Sequence, residues 1–125
     1  MFVTSAAPDH RNFIFDEKKV LQLIRNTILS PLVFCKMNKI KSPKVLVLGA
    51  WGCGAFQPTA KYMASKITPY LSKEYQKCNY VEMIAKMFYQ VLVKEKLSKY
   101  YEQILFTIPN KSMISVFRNQ FNNKS

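Results

Sequence analysis

The sequence predicts an α/β fold in the order β-α-β-α-β-α, with a small, largely parallel sheet flanked by helices. Three observations carry this expectation. Short apolar runs at residues 2–7, 44–48 and 103–108 have strand length and end at breakers. Longer stretches between and after them repeat apolar residues at helical spacing. Strands that alternate with helices pair in parallel through right-handed crossovers.

The elements follow in order. Residues 2–7 form a buried strand, closed by Pro8-Asp9. Asp16 begins a helix as its N-cap, and Val20, Leu21, Ile24, Ile28 and Leu29 line one stripe. Lys19 stands where a capping box needs Glu or Gln, so no box forms. Pro31 is expected to kink or divide this helix, leaving 32–37 as a second piece. A basic connector, 39–43, leads to Lys-Val-Leu-Val-Leu at 44–48, a continuous run that predicts a strand buried on both faces. Residues 57–80 are interrupted by Pro58 and Pro69 and predict a short helical excursion. A stronger helix carries Val81, Ile84, Ala85, Phe88, Val91 and Leu92, with Lys94, Lys96 and Lys99 near its negative end. Residues 103–108 give the third strand, closed by Pro109-Asn110. Ser112 is the expected cap of a last helix containing Ile114, Phe117 and Phe121, and the tail from Asn122 is expected to fray.

The chain's 125 residues suit one domain with a modest core. No apolar run approaches the roughly 18 residues of a membrane span. The segment Met1-Phe2-Val3-Thr4 lacks the basic start and apolar stretch of a signal peptide, so an intracellular, cytoplasmic or nuclear, protein is expected. Its immediate entry into a strand is the pattern of a partial domain. Three cysteines, Cys35, Cys53 and Cys78, are an odd number and argue against a disulfide framework. The single His10 has no cysteine pair at ligand spacing, so no metal site is expected. The formal charge of +12 attracts anions, nucleic acid or acidic surfaces, or simply solvates the chain. Its lysines are spread along the chain and only three arginines occur, which makes nucleic acid a secondary expectation.

Chemistry concentrates after the middle strand, in Gly49-Ala50-Trp51-Gly52-Cys53-Gly54-Ala55-Phe56, which holds all three glycines. Ligands on parallel sheets sit at the carboxyl ends of strands. Glycines there permit positive φ and close backbone approach, and successive amides make an anion nest suited to a diphosphate. A tight turn around a buried cysteine explains the same glycines. The segment is no Walker loop, because no Gly-Lys-Ser/Thr follows, and no dinucleotide fingerprint, because its third glycine is missing. Cys53 as a nucleophile would need a base, and none accompanies it in sequence.

The string Val47-Leu48-Gly49-Ala50-Trp51-Gly52-Cys53-Gly54-Ala55-Phe56 closely resembles the diphosphate loop of microbial-type poly(ADP-ribose) glycohydrolases, a branch of the macro domains. Thr4-Ser5-Ala6-Ala7-Pro8 is similar to the family strand that precedes the loop. Val81-Glu82-Met83-Ile84-Ala85 through Phe88 looks like the helix that follows it. Ile104-Leu105-Phe106-Thr107-Ile108 resembles the last strand, with Phe117 and Phe121 in the closing helix. The resemblance spans most of the chain but only the C-terminal half of the family domain, a partial macro-domain-like unit over 1–121 with 57–80 inserted. It implies that the backbone around Gly52, Cys53, Gly54 and Ala55 holds a diphosphate and that Phe56 packs on a ribose. Pro109 and Asn110 would border the adenine, while Phe117 is expected in the core.

Two departures matter. The family's catalytic Gly-Gly-Gly and Gln-Glu-Glu stretches have no counterpart, since the chain contains neither a Gly-Gly nor a Glu-Glu pair. Glycosidic cleavage needs a carboxyl acid at the leaving oxygen. The one adjacent acidic pair, Asp16-Glu17, is better explained by helix capping. The insertion at 57–80 is either a lid over the site or cover for a sheet edge. The expected function is therefore binding of ADP-ribose or an ADP-ribosylated protein, with no catalytic residues, no cofactor and no glycohydrolase activity in isolation. Two alternatives stand beside it: a hydrolase completed by an N-terminal region or another chain, and a basic module for nucleic acid or protein. A homo-oligomer or partner chain would cover the exposed sheet.

Overall fold

The computed structural model describes residues 15–49, 57–108 and 110–122. It is a mixed α/β arrangement, predominantly helical, with a two-stranded parallel sheet among the described residues. The strand expected at 2–7 lies outside them.

Helix α1 spans Glu17–Met37. Asp16 caps it in extended conformation, its side chain accepting the Lys19 N–H at 3.2 Å. Val20, Ile24, Ile28, Pro31 and Cys35 form the buried stripe. The expected division at Pro31 does not occur: α1 continues through it. Proline removes one backbone donor, but its ring is buried here, and that packing offsets the lost bond. The helix closes with Lys39 in the left-handed region (φ 54°), Ile40 N–H donating to Cys35 O at 2.9 Å and Lys39 N–H to Lys36 O at 3.4 Å. These two bonds make a Schellman closure in which lysine stands at the position glycine favours.

Strand β1 (Val45–Gly49) pairs in parallel with β2 (Gln103–Thr107), in the register Val45↔Gln103 to Gly49↔Thr107. Among the described residues, one face is covered. Leu46 and Leu48 are buried, with Ile104 and Phe106 packed on the same core, whereas Val45, Val47 and Leu105 are exposed. The expectation of a strand buried on both faces is thus corrected. Such burial requires a layer on each side of the sheet, and among the described residues only one side has it.

The excursion resolves into α2 (Ala60–Lys66), a 3₁₀ turn at Thr68–Tyr70 and α3 (Lys73–Gln76). Met63, Ile67, Leu71 and Tyr75 fasten it into the core. Its hydrogen bonds reach helices: Ser72 N–H and Oγ donate to Glu17 at 2.8 and 2.6 Å, and Lys86 Nζ donates to Glu74 O at 3.2 Å.

Helix α4 (Tyr80–Tyr89) is buried on most sides and forms the centre of the core. A reciprocal capping box starts it, Glu82 N–H to Asn79 Oδ1 at 2.9 Å and Asn79 N–H to Glu82 Oε1 at 3.0 Å. It widens into a π turn, Gln90–Lys94, followed by a 3₁₀ turn, Leu97–Tyr100. Glu95 at this junction makes a bidentate pair with Arg25 of α1, at 2.7 and 2.9 Å. Helix α5 (Lys111–Asn122) packs on α4 through Phe117. Its cap is Asn110, not the expected Ser112. Asn110 Oδ1 accepts from Met113 N–H at 2.9 Å and from the Ser112 hydroxyl at 2.8 Å.

Candidate functional site at the carboxyl end of the strands

The two strands end level. Gly49 and Thr107 are the last pair, and the Thr107 hydroxyl donates to Leu48 O at 3.3 Å. The glycine-rich segment therefore departs from the end of the sheet at which α5 begins. Of the ten residues expected to form the site, Gly49 and Asn110 are described. Ala50, Trp51, Gly52, Cys53, Gly54, Ala55, Phe56 and Pro109 lie outside the described residues.

Gly49 is exposed, and a Cβ built on it would meet nothing within 4 Å. Crowding therefore does not explain this glycine. It leaves open space beside the last rung of the ladder. Asn110 is exposed and two residues beyond the carboxyl-terminal end of the 103–108 run. Its carbonyl accepts Ile114 N–H at 3.1 Å while its side chain holds the first turn of α5. A border role against a ligand and a capping role are compatible, because the cap uses Oδ1. The amino end of a 12-residue helix carries partial positive charge, and exposed Lys111 adds a full one. Phe117 is buried against Phe88 and Phe106, as its core assignment requires.

Groups suited to acid–base chemistry do not gather here among the described residues. Asp16 is spent on its cap and Glu17 on Ser72, which makes the acidic pair structural. The Arg25 hydrogen bond holds the Glu95 carboxyl below its ordinary range. Burial pushes the Tyr101 hydroxyl up to about 12, and that hydroxyl donates to Ile28 O at 2.6 Å. Burial likewise raises the Tyr75 hydroxyl and the Cys78 thiol, so neither is primed to ionise. Cys35 is fully buried. No cluster of three His, Cys, Asp or Glu side chains fit for a metal occurs among the described residues. None of their helices is long and apolar enough to cross a membrane.

Two concavities stand out, one beside the sheet and one away from it. One of about 600 Å³ lies along β2 and α5 and is largely apolar, lined by Ile104, Phe106, Ile108, Phe117 and Phe121. Sequence reasoning gave no sign of it, since its walls read as ordinary core. The other, about 550 Å³, lies between the start of α1 and the excursion, beside Phe15, Tyr62, Lys66 and Tyr70. Comparison with protein-family models, with curated proteins and with solved structures finds no match to this chain.

Proposed function

We propose that the chain is an ADP-ribose-binding module whose phosphate-binding segment is Gly49-Ala50-Trp51-Gly52-Cys53-Gly54-Ala55-Phe56. The observation that carries this reading is the level ending of two parallel strands at Gly49 and Thr107. In α/β folds, ligands bind outside the carboxyl ends of parallel strands. The segment after Gly49 supplies amides with little side-chain bulk, and α5 turns its positive end toward the same edge. Pro109 and Asn110 would border the adenine.

The module binds without cleaving. The acidic pair Asp16-Glu17 is committed to capping and to Ser72, and the sequence carries no paired glutamates. A hydrolase completed by further residues is the second reading, favoured by the uncovered face bearing Val45, Val47 and Leu105.

Calorimetric titration of the 125-residue chain with ADP-ribose tests the first reading, with AMP and Gly54→Glu as controls. We expect saturable binding that Gly54→Glu abolishes. Absence of binding by a folded sample would refute the module. Release of ADP-ribose from a poly(ADP-ribosyl)ated protein, lost in Gly54→Glu, would refute the absence of catalysis.

A further inference from the structure

The opposite, amino end of the strands gathers positive charge that is scattered in the sequence. Leaving α1, the chain passes Lys36, Lys39, Lys41 and Lys44 before entering β1, and all four are exposed. Glu102 and Gln103 N–H groups both donate to Lys44 O, at 2.8 and 3.2 Å, which locks this connector beside the start of β2. From the other side, Lys96 and Lys99 arrive on the 3₁₀ turn before β2, also exposed. Tyr101 ties that turn to α1 through its 2.6 Å bond to Ile28 O. Six exposed lysines thus lie on the two segments that lead into the strands. Among the described residues, the carboxylates on these segments are Glu95, which Arg25 neutralises, and Glu102.

Two further features mark this pole. Tyr100 is 50% exposed, with Lys99 Nζ 5.3 Å from its ring centroid. Lys39 and Lys96 are the described non-glycine residues with left-handed backbone, φ 54° and 63°. Glycine or asparagine adopts that conformation more readily, and here lysine holds both positions. Left-handed non-glycine residues concentrate at sites with a role beyond packing.

We propose that this face binds single-stranded nucleic acid, with phosphates on the lysines and a base stacked on Tyr100. A ring set among ammonium groups is the working surface of sequence-tolerant single-strand binders. Lysine contacts to phosphate carry no base information, and the described arginine near this face, Arg25, is engaged by Glu95, so the face binds without sequence preference. The proposal is independent of ADP-ribose binding, which lies at the other end of the sheet.

The test is fluorescence anisotropy of a labelled oligouridylate of roughly 20 nucleotides with the full chain. Neutralising about four phosphates predicts a roughly 50-fold loss of affinity between 50 and 200 mM salt. Lys41→Glu with Lys99→Glu should weaken binding about tenfold or more, by removing phosphate contacts and adding repulsion. Tyr100→Ala should cost roughly 5–10-fold while circular dichroism stays unchanged. The control, Lys61→Glu with Lys77→Glu, makes the same change of net charge on the excursion and should cost less than about threefold. Equal weakening by the control pair would overturn the assignment to this pole, and so would a lack of saturation at low salt. An unchanged affinity in Tyr100→Ala would overturn the stacking role. Capture by phosphatidylserine vesicles without oligonucleotide binding would replace nucleic acid by an acidic membrane surface.

Discussion

Replacing Phe88 by leucine tests whether the aromatic chain across the core fastens α5 and β2 to α4. The Phe88 ring is fully buried, 5.3 Å edge-on from Phe106 and 6.3 Å from Phe117. Phe106 in turn lies 5.3 Å from Phe117 and 5.6 Å from Phe121. Each such pair contributes about 0.5–1.5 kcal/mol beyond its area. Phe88→Leu removes two of them and leaves a partly filled hole, so the loss should be about 2 kcal/mol. Truncation to alanine should cost about 3–5 kcal/mol, a large part of the roughly 5–15 kcal/mol that holds a domain folded. Phe121, at the half-buried end of the same chain, meets both Phe106 and Tyr89 at 5.6 Å, so Phe121→Leu also removes two pairs but leaves no enclosed hole and should cost about 1 kcal/mol. Urea unfolding followed by circular dichroism measures all three, the leucine variant moving the midpoint by about 1 M. If Phe88→Leu cost less than about 0.5 kcal/mol, the ring network would not be what couples these elements.

Two other outcomes follow from named contacts. The Glu95 carboxyl is held below its ordinary range by Arg25, so the pair stabilises the fold above the unfolded carboxylate pKa of about 4.3 and loses that contribution as pH falls further. Glu95→Gln should flatten the stability profile between about pH 5 and 3, with a loss on the order of 1 kcal/mol at neutral pH, measured by urea titrations across that range. Lys39→Gly relieves the left-handed backbone and should stabilise by about 0.5–1 kcal/mol in thermal melts, while weakening oligonucleotide binding through the lost charge. A Lys39→Gly chain no more stable than the parent would show that this backbone is unstrained.

Much of the fold was legible because its signals are local. Both described strands fall within a residue of the runs that announced them, since Gly49 and the Pro109-Asn110 pair punctuate short branched segments. Asp16 was readable as a cap for the same reason. The misses arise where tertiary context outweighs a local rule. Pro31 stays in a helix because its ring fills the core stripe, and nothing in its neighbours announces that. The run Val45–Gly49 could not reveal an open face, because its apolar residues are the same on both sides of the pleat. The π turn after α4 coincides with an ion pair between Arg25 and Glu95, seventy positions apart. Other signals were present but passed over. Asn79 three positions before Glu82 is a capping box, and Asn110 before Lys-Ser-Met is a better cap than the serine inside it. Of the proposed phosphate-binding segment, sequence reasoning carries more than the structure does, since only Gly49 lies within the described residues.

The parallel pairing gives the sheet two chemically different ends, and this bears on how the two proposed activities relate. Five-residue strands in register separate their ends by about 13 Å. That exceeds the Debye length of about 8 Å at physiological salt, so exposed charges at one end are largely screened from the other. Lysines at the amino end would consequently add little to the anion affinity proposed at Gly49, which rests instead on the glycine-rich segment and the start of α5. The same screening predicts independence: ADP-ribose should leave oligonucleotide affinity unchanged at physiological salt, and coupling should emerge only as salt is lowered and the Debye length grows past the strand length. Coupling that persists at high salt would instead require a change in structure passing along the two strands.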